Sequence, residues 1–141
     1  NIFAMSGGEK QLLAFGSVYA MGPDIFVLDE PTAGLDPKGR DEILDQIAEL
    51  HRQGDMTVVL VSHSMEDIAK YVERLIVMNR GEKMFDGTPK EVFSHYKELE
   101  QIGLSAPQVT YVMNALKDKG FAVSTEATTI EEAVEEIMKA L

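Results

Sequence analysis

Two adjacent carboxylates carry the clearest chemical signal in the sequence. Asp29 and Glu30 end the apolar run IFVLDE, and Pro31 follows them directly. If the run is a strand of a parallel α/β sheet, its C-terminal edge is where ligands bind. Because successive strand side chains point to opposite faces, one carboxylate could hold Mg²⁺ while the other orients or deprotonates a water molecule. Taken alone, the pair could instead cap backbone N–H groups of the following loop. We also expect Pro31 to bias Glu30 towards an extended backbone.

Ser6-Gly7-Gly8-Glu9 forms a candidate anion site at the start of a helix-favouring stretch. Glycines beside a serine hydroxyl at a helix N-terminus can present several unpaired N–H groups to one anion, and the helix dipole adds to the attraction. The same step is also typical of a plain glycine-rich helix start. A separate candidate, His63, directly follows the apolar run MTVVLVS and could reach a phosphate oxygen or a polarised water. A lone histidine at such a place is often structural.

Alternating apolar runs and turn signals predict the elements that position these residues. Gly22-Pro23 stops the first helix, Asp36 caps the second, and Arg80-Gly81 closes a hairpin. The alternation of strands and helices predicts an α/β domain with a mainly parallel sheet of buried strands. The predicted elements are a helix over 7–21, a strand over 25–30, a helix over 37–53, a strand over 56–62, a short helix over 65–71, and strands over 74–79 and 82–87.

The sequence changes character near residue 88. Thr88 and Glu91 form a capping-box pattern that opens a helix, and two further helices are predicted behind it, the last through Leu141. We therefore divide the chain into residues 1–87 and a mainly helical extension over residues 88–141.

Composition excludes several classes of protein. The 141 residues carry 13 basic and 24 acidic side chains, a net charge of -11, which argues against non-specific binding to nucleic acid. There is no cysteine, so disulfides and thiolate metal sites are excluded. No apolar run approaches the ~20 residues that span a bilayer.

In their order along the chain, these motifs resemble the second half of an ABC-transporter ATPase. MSGGE at 5–9 is similar to the family's signature motif, and IFVLDE at 25–30 to its Walker B strand with the catalytic glutamate. AGLD at 33–36 is similar to the D-loop, and His63 to the switch histidine. The resemblance implies a P-loop NTPase fold that lacks its N-terminal half and continues into the helical extension.

Longer segments resemble more closely an ATP-binding subunit of the energy-coupling factor (ECF) transporters, which take up vitamins or transition metals such as cobalt. These segments are DEPTAGLDPKGRDEILDQI, VSHSMEDIAKYVERLIVMNRGE, DGTPKEVF and the tail PQVTYVMNALKDKGF. The resemblance implies ATP and Mg²⁺ as cofactors and a peripheral position on the cytoplasmic face of the cell membrane. It also implies a second ATPase subunit (identical or paralogous), a transmembrane coupling subunit and a substrate-binding membrane subunit as partners. No nucleic-acid partner is expected.

The resemblance also assigns a role to each candidate residue. Glu30 would act as general base or water-positioning group, His63 would contact the γ-phosphate, and Asp29 would hold Mg²⁺ through water. The remaining candidates would act across a head-to-tail dimer, on an ATP held mainly by the partner subunit. They are Ser6, Gly7, Gly8 and Glu9 at the γ-phosphate and Asp36 at the dimer interface.

Two departures from the family pattern limit these expectations. Met5 and Glu9 stand where the family most often has Leu and Gln, and Glu9 brings a carboxylate near phosphates. The sequence has no G-x-x-x-x-G-K-[ST] loop, the family's main phosphate cradle, and no glutamine loop. In the family, the strand before that phosphate loop lies between the strand ending at His63 and the strand RLIVMN. We therefore expect a gap there that exposes apolar strand edges, and a chain that alone hydrolyses no ATP and is marginally stable or aggregation-prone.

Two other functions stay open at this point. A soluble ABC ATPase acting in translation or DNA repair would share the motifs, but the acidic charge and the ECF-like tail argue against it. A non-catalytic dimerisation or regulatory chain would keep the signature motif only to complete a partner's ATP site.

Overall fold

The computed structural model describes residues 5–54 and 56–140. Their contacts divide the chain into two compact units, a first unit that ends at His63 and a second unit that begins at Ser64. The predicted end of the last helix at Leu141 lies outside the described residues. The boundary expected between residues 87 and 88 separates a family domain from its extension, and it stays a prediction.

The first unit alternates helices and strands, as the sequence pattern predicts. It contains α1 (Gly7–Tyr19), β1 (Ile25–Asp29), α2 (Pro37–Gln53) and β2 (Thr57–Val61). β1 and β2 pair in parallel, with Ile25 opposite Thr57 and Asp29 opposite Val61. A parallel pair needs a crossover between its strands, and α2 provides it.

The expectation of buried strands is wrong for β1 and β2. In β1, Phe26 and Leu28 are each 4% exposed, whereas Ile25 and Val27 on the other face are 62% and 61% exposed. β2 alternates in the same way between exposed and half-buried side chains. Strands of a parallel sheet are buried when both faces are covered, and the described residues cover one face of this pair.

The second unit begins with a short helix and a hairpin and continues as helices. Its elements are α3 (Met65–Tyr71), β3 (Leu75–Asn79), β4 (Glu82–Gly87), α4 (Pro89–Ser94), α5 (Tyr96–Gln101), α6 (Gln108–Asp118) and α7 (Ile130–Ala140). β3 and β4 pair antiparallel around Arg80-Gly81, whose φ angles of +51° and +83° have the signs that a type I′ turn requires. The predicted capping box is also present, because Thr88 and Glu91 exchange hydrogen bonds at the start of α4.

A single, mainly parallel sheet is not observed among the described residues. Their strands form two sheets of two strands each, the parallel pair β1–β2 and the antiparallel pair β3–β4.

The second unit buries two apolar clusters. The first cluster includes Val92, Phe93 and Leu99, and the second is centred on Met113, which is 0% exposed. Across residues 5–54 and 56–140, every helix is too short or too polar to cross a bilayer.

Candidate functional site

Strand register brings Glu30 and His63 together. Asp29 and Val61 are opposite each other at the ends of β1 and β2, so the residues that follow leave the sheet at the same edge. The Glu30 N–H donates to the Val61 carbonyl at 2.9 Å, which extends the ladder by one bond. His63 stands two residues beyond Val61 and reaches back to Glu30 from there.

The two side chains form a short hydrogen bond. His63 Nδ1 lies 2.7 Å from Glu30 Oε1, and the side chains are 85% and 34% exposed respectively. An ionised carboxylate can only accept, so Nδ1 must carry the proton. The neutral ring therefore keeps its lone pair on Nε2, and a protonated ring donates from both nitrogens. The pair can orient a water molecule at the carboxylate while the exposed ring edge meets an anion.

The backbone at Glu30 is not extended, and the expectation drawn from Pro31 is wrong. Glu30 has φ of +46°, in the left-handed region that non-glycine residues rarely adopt. The reason is a turn that starts here, in which the Ala33 N–H donates to the Glu30 carbonyl at 3.1 Å. Such strain costs about 1–3 kcal/mol and persists only when the surroundings hold the residue in place.

Asp29 lies apart from this pair, on the open face of the strands. Its side chain follows Ile25 and Val27 in the alternation along β1 and is exposed. Mg²⁺ usually takes one or two carboxylates, several waters and substrate phosphates, so one accessible carboxylate fits that donor set. Within the described residues, no group of three or more acidic or histidine side chains forms a closed metal site.

Ser6 and Glu9 form the capping box of α1. Ser6 Oγ accepts from the Glu9 N–H at 3.3 Å, and Glu9 Oε2 accepts from the Ser6 N–H at 2.8 Å. The hydrogen bond from the Ser6 backbone lowers the pKa of the Glu9 carboxyl, so Glu9 is ionised at neutral pH. Glu9 thus occupies one N–H group at this terminus, and its contact with a phosphate stays a proposal.

No contact among the described residues requires glycine at positions 7 and 8. A Cβ at Gly7 would meet no described atom within 4 Å, and one at Gly8 would make an ordinary contact of 3.7 Å with Leu35. Neither glycine has a positive φ, yet glycine in a helix costs about 0.5–1 kcal/mol relative to alanine. A ligand that closely approaches this helix start would explain why both positions are glycine.

The start of α2 lines the same cavity as the start of α1. Asp36 caps α2, with Oδ1 accepting from the Gly39 N–H at 2.8 Å, which confirms its predicted capping role. The cavity has a volume of about 430 Å³ and is lined by residues 6–9 and by the segment around Asp36, including the exposed Lys38. The two helix N-termini favour an anion. The carboxylates of Glu9, Asp36 and Glu42 also line the cavity and oppose it, and Glu42 pairs with Lys38 at 3.6 Å.

Sequence reasoning missed one residue that contacts this region. Gln11 of α1 donates a hydrogen bond from Nε2 to the Pro31 carbonyl, directly after Glu30. Residues 8, 11, 12 and 15 are half-buried and form the inward stripe of α1. A polar side chain on such a stripe needs a hydrogen-bond partner, and this signal could have identified Gln11.

Comparison with known proteins places these features in a family context. A family model described as "AAA domain, putative AbiEii toxin, Type IV TA system" matches residues 1–67. Over 97% of its length the chain is 54% identical to the energy-coupling factor transporter ATP-binding protein EcfA2 of Clostridium tetani and 53% identical to that of Clostridium perfringens. It covers 48% of each, so it spans about half the length of the curated relatives it matches.

Solved structures agree with this relationship. The structure of cbiO1 from Clostridium perfringens, described as part of the ABC transporter complex cbiONQ, superposes with a TM-score of 0.64 at 32% identity. The match covers 80% of this chain and 45% of that one. The described residues therefore have the fold of part of an ABC-type ATPase domain, which confirms the predicted fold class. The chain is similar to the ECF transporter ATP-binding proteins over 97% of its length, and the predicted resemblance is confirmed.

Proposed function

We propose that this chain supplies the hydrolysis and signature half of the ATP-binding subunit of an ECF-type transporter, which couples ATP hydrolysis to the uptake of a vitamin or a transition-metal ion. The relatives at 54% and 53% identity support the family assignment. The observation that carries the chemistry is the contact of 2.7 Å between His63 Nδ1 and Glu30 Oε1 at the edge of β1 and β2. Phosphoryl transfer depends mainly on positioning and charge stabilisation, and this pair can provide both.

In this proposal Glu30 orients or deprotonates the attacking water. The hydrogen bond from His63 fixes the carboxylate, and the exposed ring of His63 can donate to a γ-phosphate oxygen when it is protonated. Asp29 would hold Mg²⁺ through water, and the bound ion would neutralise charge on the phosphate oxygens.

The start of α1 serves a second nucleotide in this proposal. Ser6, Gly7 and Gly8 would cradle the γ-phosphate of an ATP held mainly by a second ATPase subunit, identical or paralogous. Glu9 would maintain the helix start through its capping box, and Asp36 would contact the dimer interface. The shared cavity of about 430 Å³ at the two helix starts supports this arrangement.

The remaining partners follow from the same family. They are a transmembrane coupling subunit and a substrate-binding membrane subunit, with the ATPase at the cytoplasmic face of the membrane. The membrane component would choose the imported substrate. The net charge of -11 argues against non-specific binding to nucleic acid.

The test of this function is Glu30→Gln, placed in a longer chain that also contains the phosphate-binding loop. We expect ATP hydrolysis to slow by about 10²–10⁴-fold while ATP binding is retained, because glutamine keeps the shape but cannot take a proton. Glu73→Gln, at an exposed position of the second unit, is the matched control and should leave hydrolysis unchanged. Unchanged hydrolysis in Glu30→Gln would contradict the proposed role of Glu30.

A further inference from the structure

We propose that Gln11 is a positioning residue that holds the loop behind Glu30 and thereby keeps the Glu30 carboxylate against His63. Its side-chain amide donates to the Pro31 carbonyl across a separation of 20 residues. This role rests on the function proposed above for Glu30, because the loop matters for hydrolysis only if Glu30 acts in it.

Two turns in the loop after β1 pair some of its backbone groups locally. The Ala33 N–H donates to the Glu30 carbonyl at 3.1 Å, and the Leu35 N–H donates to the Thr32 carbonyl at 3.2 Å. The carbonyl of Pro31 lies between these two turns and takes its hydrogen bond from Gln11. Pro31 and Thr32 are both buried, so an unpaired carbonyl here would be unfavourable. Gln11 therefore meets a need that the loop cannot meet by itself.

Glu30 is held from both sides. On one side its N–H is bonded to the Val61 carbonyl of β2, and on the other side the next carbonyl is bonded to Gln11 of α1. Between these contacts Glu30 adopts φ of +46°. A residue in this strained region stays there only when the surrounding structure determines its position. Releasing the contact on the Gln11 side allows the backbone to relax and carries the carboxylate away from His63 Nδ1.

A separate contact also holds α1 against β1. Phe15, one turn further along the inward stripe, packs edge-to-face on Phe26 of β1, with ring centroids 6.3 Å apart and an interplanar angle of 88°. This contact does not involve the Gln11 amide. Loss of the amide therefore leaves the helix on the strand and affects the loop.

The proton position on His63 reports this geometry directly in the 141-residue chain. The ring nitrogens of neutral histidine have distinct ¹⁵N shifts with and without a proton. Spectra are recorded about two pH units above the ordinary histidine pKa of about 6.5, with assignment by His63→Asn. The wild type should show the Nδ1–H form, because Nδ1 donates to Glu30. In Gln11→Met, which keeps the length of the side chain without its donor, the population should move to the Nε2–H form.

Gln53→Met is the matched control, because the Gln53 amide is exposed and bonds only Glu49 of its own helix, at 2.6 Å, among the contacts described. It should keep the Nδ1–H form. If Gln11→Met does not fold, Gln11→Asn replaces it in the test. The asparagine amide is one methylene too short to reach the Pro31 carbonyl. An Nδ1–H form retained in both Gln11 variants would overturn the proposal, as would an Nε2–H form in the wild type.

Hydrolysis measured in a longer, ATP-hydrolysing chain separates this role from the proposed function. Gln11→Met should lower kcat by up to about 10²-fold with little change in KM, because it misplaces Glu30 without touching the nucleotide. A shifted tautomer with an unchanged kcat would support the contact and contradict the role of Glu30. If the Gln11 variants keep the wild-type tautomer of His63 while Glu30→Gln hydrolyses ATP slowly, the role of Gln11 is overturned and that of Glu30 is not.

Discussion

The two units of the chain differ in content: the first carries the candidate site residues, and the second carries two buried apolar clusters. Every candidate site residue lies in the first unit, where Glu30 is strained and Asp29 and His63 are exposed. The second unit instead buries two apolar clusters, with Phe93 at 1% and Met113 at 0% exposure. The difference indicates that the first unit keeps groups available for a ligand, whereas the second unit packs an apolar interior.

Two non-glycine residues with positive φ illustrate the same difference. Arg80 has φ of +51° inside a two-residue hairpin turn, where both residues must have positive φ. Glu30 has φ of +46° at the end of a parallel strand, where no turn type of that kind is required. Strain at Arg80 is thus explained by its own hairpin turn, whereas Glu30 is held in its conformation by a bond to Val61 of β2 and the turn to Ala33.

The largest expected effect on stability is in the second unit. Phe93→Ala should lower the free energy of unfolding by about 3–5 kcal/mol, because Phe93 is 1% exposed at the centre of its cluster. Denaturant unfolding followed by circular dichroism measures this. Phe121→Ala, at a position 49% exposed, is the matched control and should cost far less. Equal losses would show that the second unit is not packed as described.

Neighbouring residues of β1 test the one-sided strand in the first unit. Leu28→Ala should cost about 2–5 kcal/mol, because Leu28 is 4% exposed. Val27→Ala, on the open face at 61% exposure, should change the free energy of unfolding by no more than about 0.5 kcal/mol. A large loss in Val27→Ala would mean that the open face is covered in solution and that the two units differ less than described.

The helix starts of the second unit should respond moderately. Thr88→Ala removes the hydroxyl that accepts from the Glu91 N–H at 3.3 Å and should cost about 1 kcal/mol. Glu91→Gln keeps an oxygen that can accept from the Thr88 N–H, so its loss should be smaller. Thermal unfolding of both variants measures the difference, and the reverse order would contradict the capping-box geometry.

The smallest expected effect concerns the ion pair between α4 and α7. Lys90 Nζ lies 2.6 Å from Glu132 Oε1. Partial burial raises the pKa of Glu132, but hydrogen bonds from Lys90 and the Thr128 N–H outweigh it and leave that pKa below 4.5. The hydrogen bond to Glu132 raises the pKa of Lys90 above 10.5. The stabilisation is therefore present between pH 4.5 and pH 10.5 and is lost outside this range, as pH falls through the folded pKa of Glu132 or rises through that of Lys90.

Lys90→Met tests this pair by its pH dependence. Both side chains are more than a third exposed, so the expected loss at neutral pH is only about 0.2–1 kcal/mol. The variant should lose less stability than the wild type on acidification below pH 4.5. Identical acid profiles would show that the pair contributes nothing measurable.

Local features of the fold could be predicted from the sequence. The caps at Asp36 and Thr88 depend on residues within one turn, and both are observed as predicted. The hairpin at Arg80-Gly81 depends on two residues and was predicted for the same reason.

Features that depend on distant residues could not be predicted. The left-handed backbone at Glu30 results from a bond to Val61 and a turn to Ala33, against the local bias of Pro31. The contact of Gln11 with Pro31 spans 20 residues. Whether a face of β1 is open depends on which other elements cover it. The apolar run IFVLDE fits a strand covered on one face or on both, so it does not predict the open face.

The most direct test of the proposed role of the α1 start is whether this chain can complete an ATP site in trans. A partner ATPase subunit with an intact phosphate-binding loop and a disabled signature motif is assayed for ATP hydrolysis with and without the 141-residue chain. The account predicts turnover with the wild-type chain and with neither component alone. Gly8→Asp should abolish this turnover by placing a carboxylate in the anion cradle, although a Cβ at Gly8 makes only an ordinary contact of 3.7 Å with Leu35. A chain that is folded by circular dichroism and yet restores no turnover, or restores it equally with Gly8→Asp, would contradict the account.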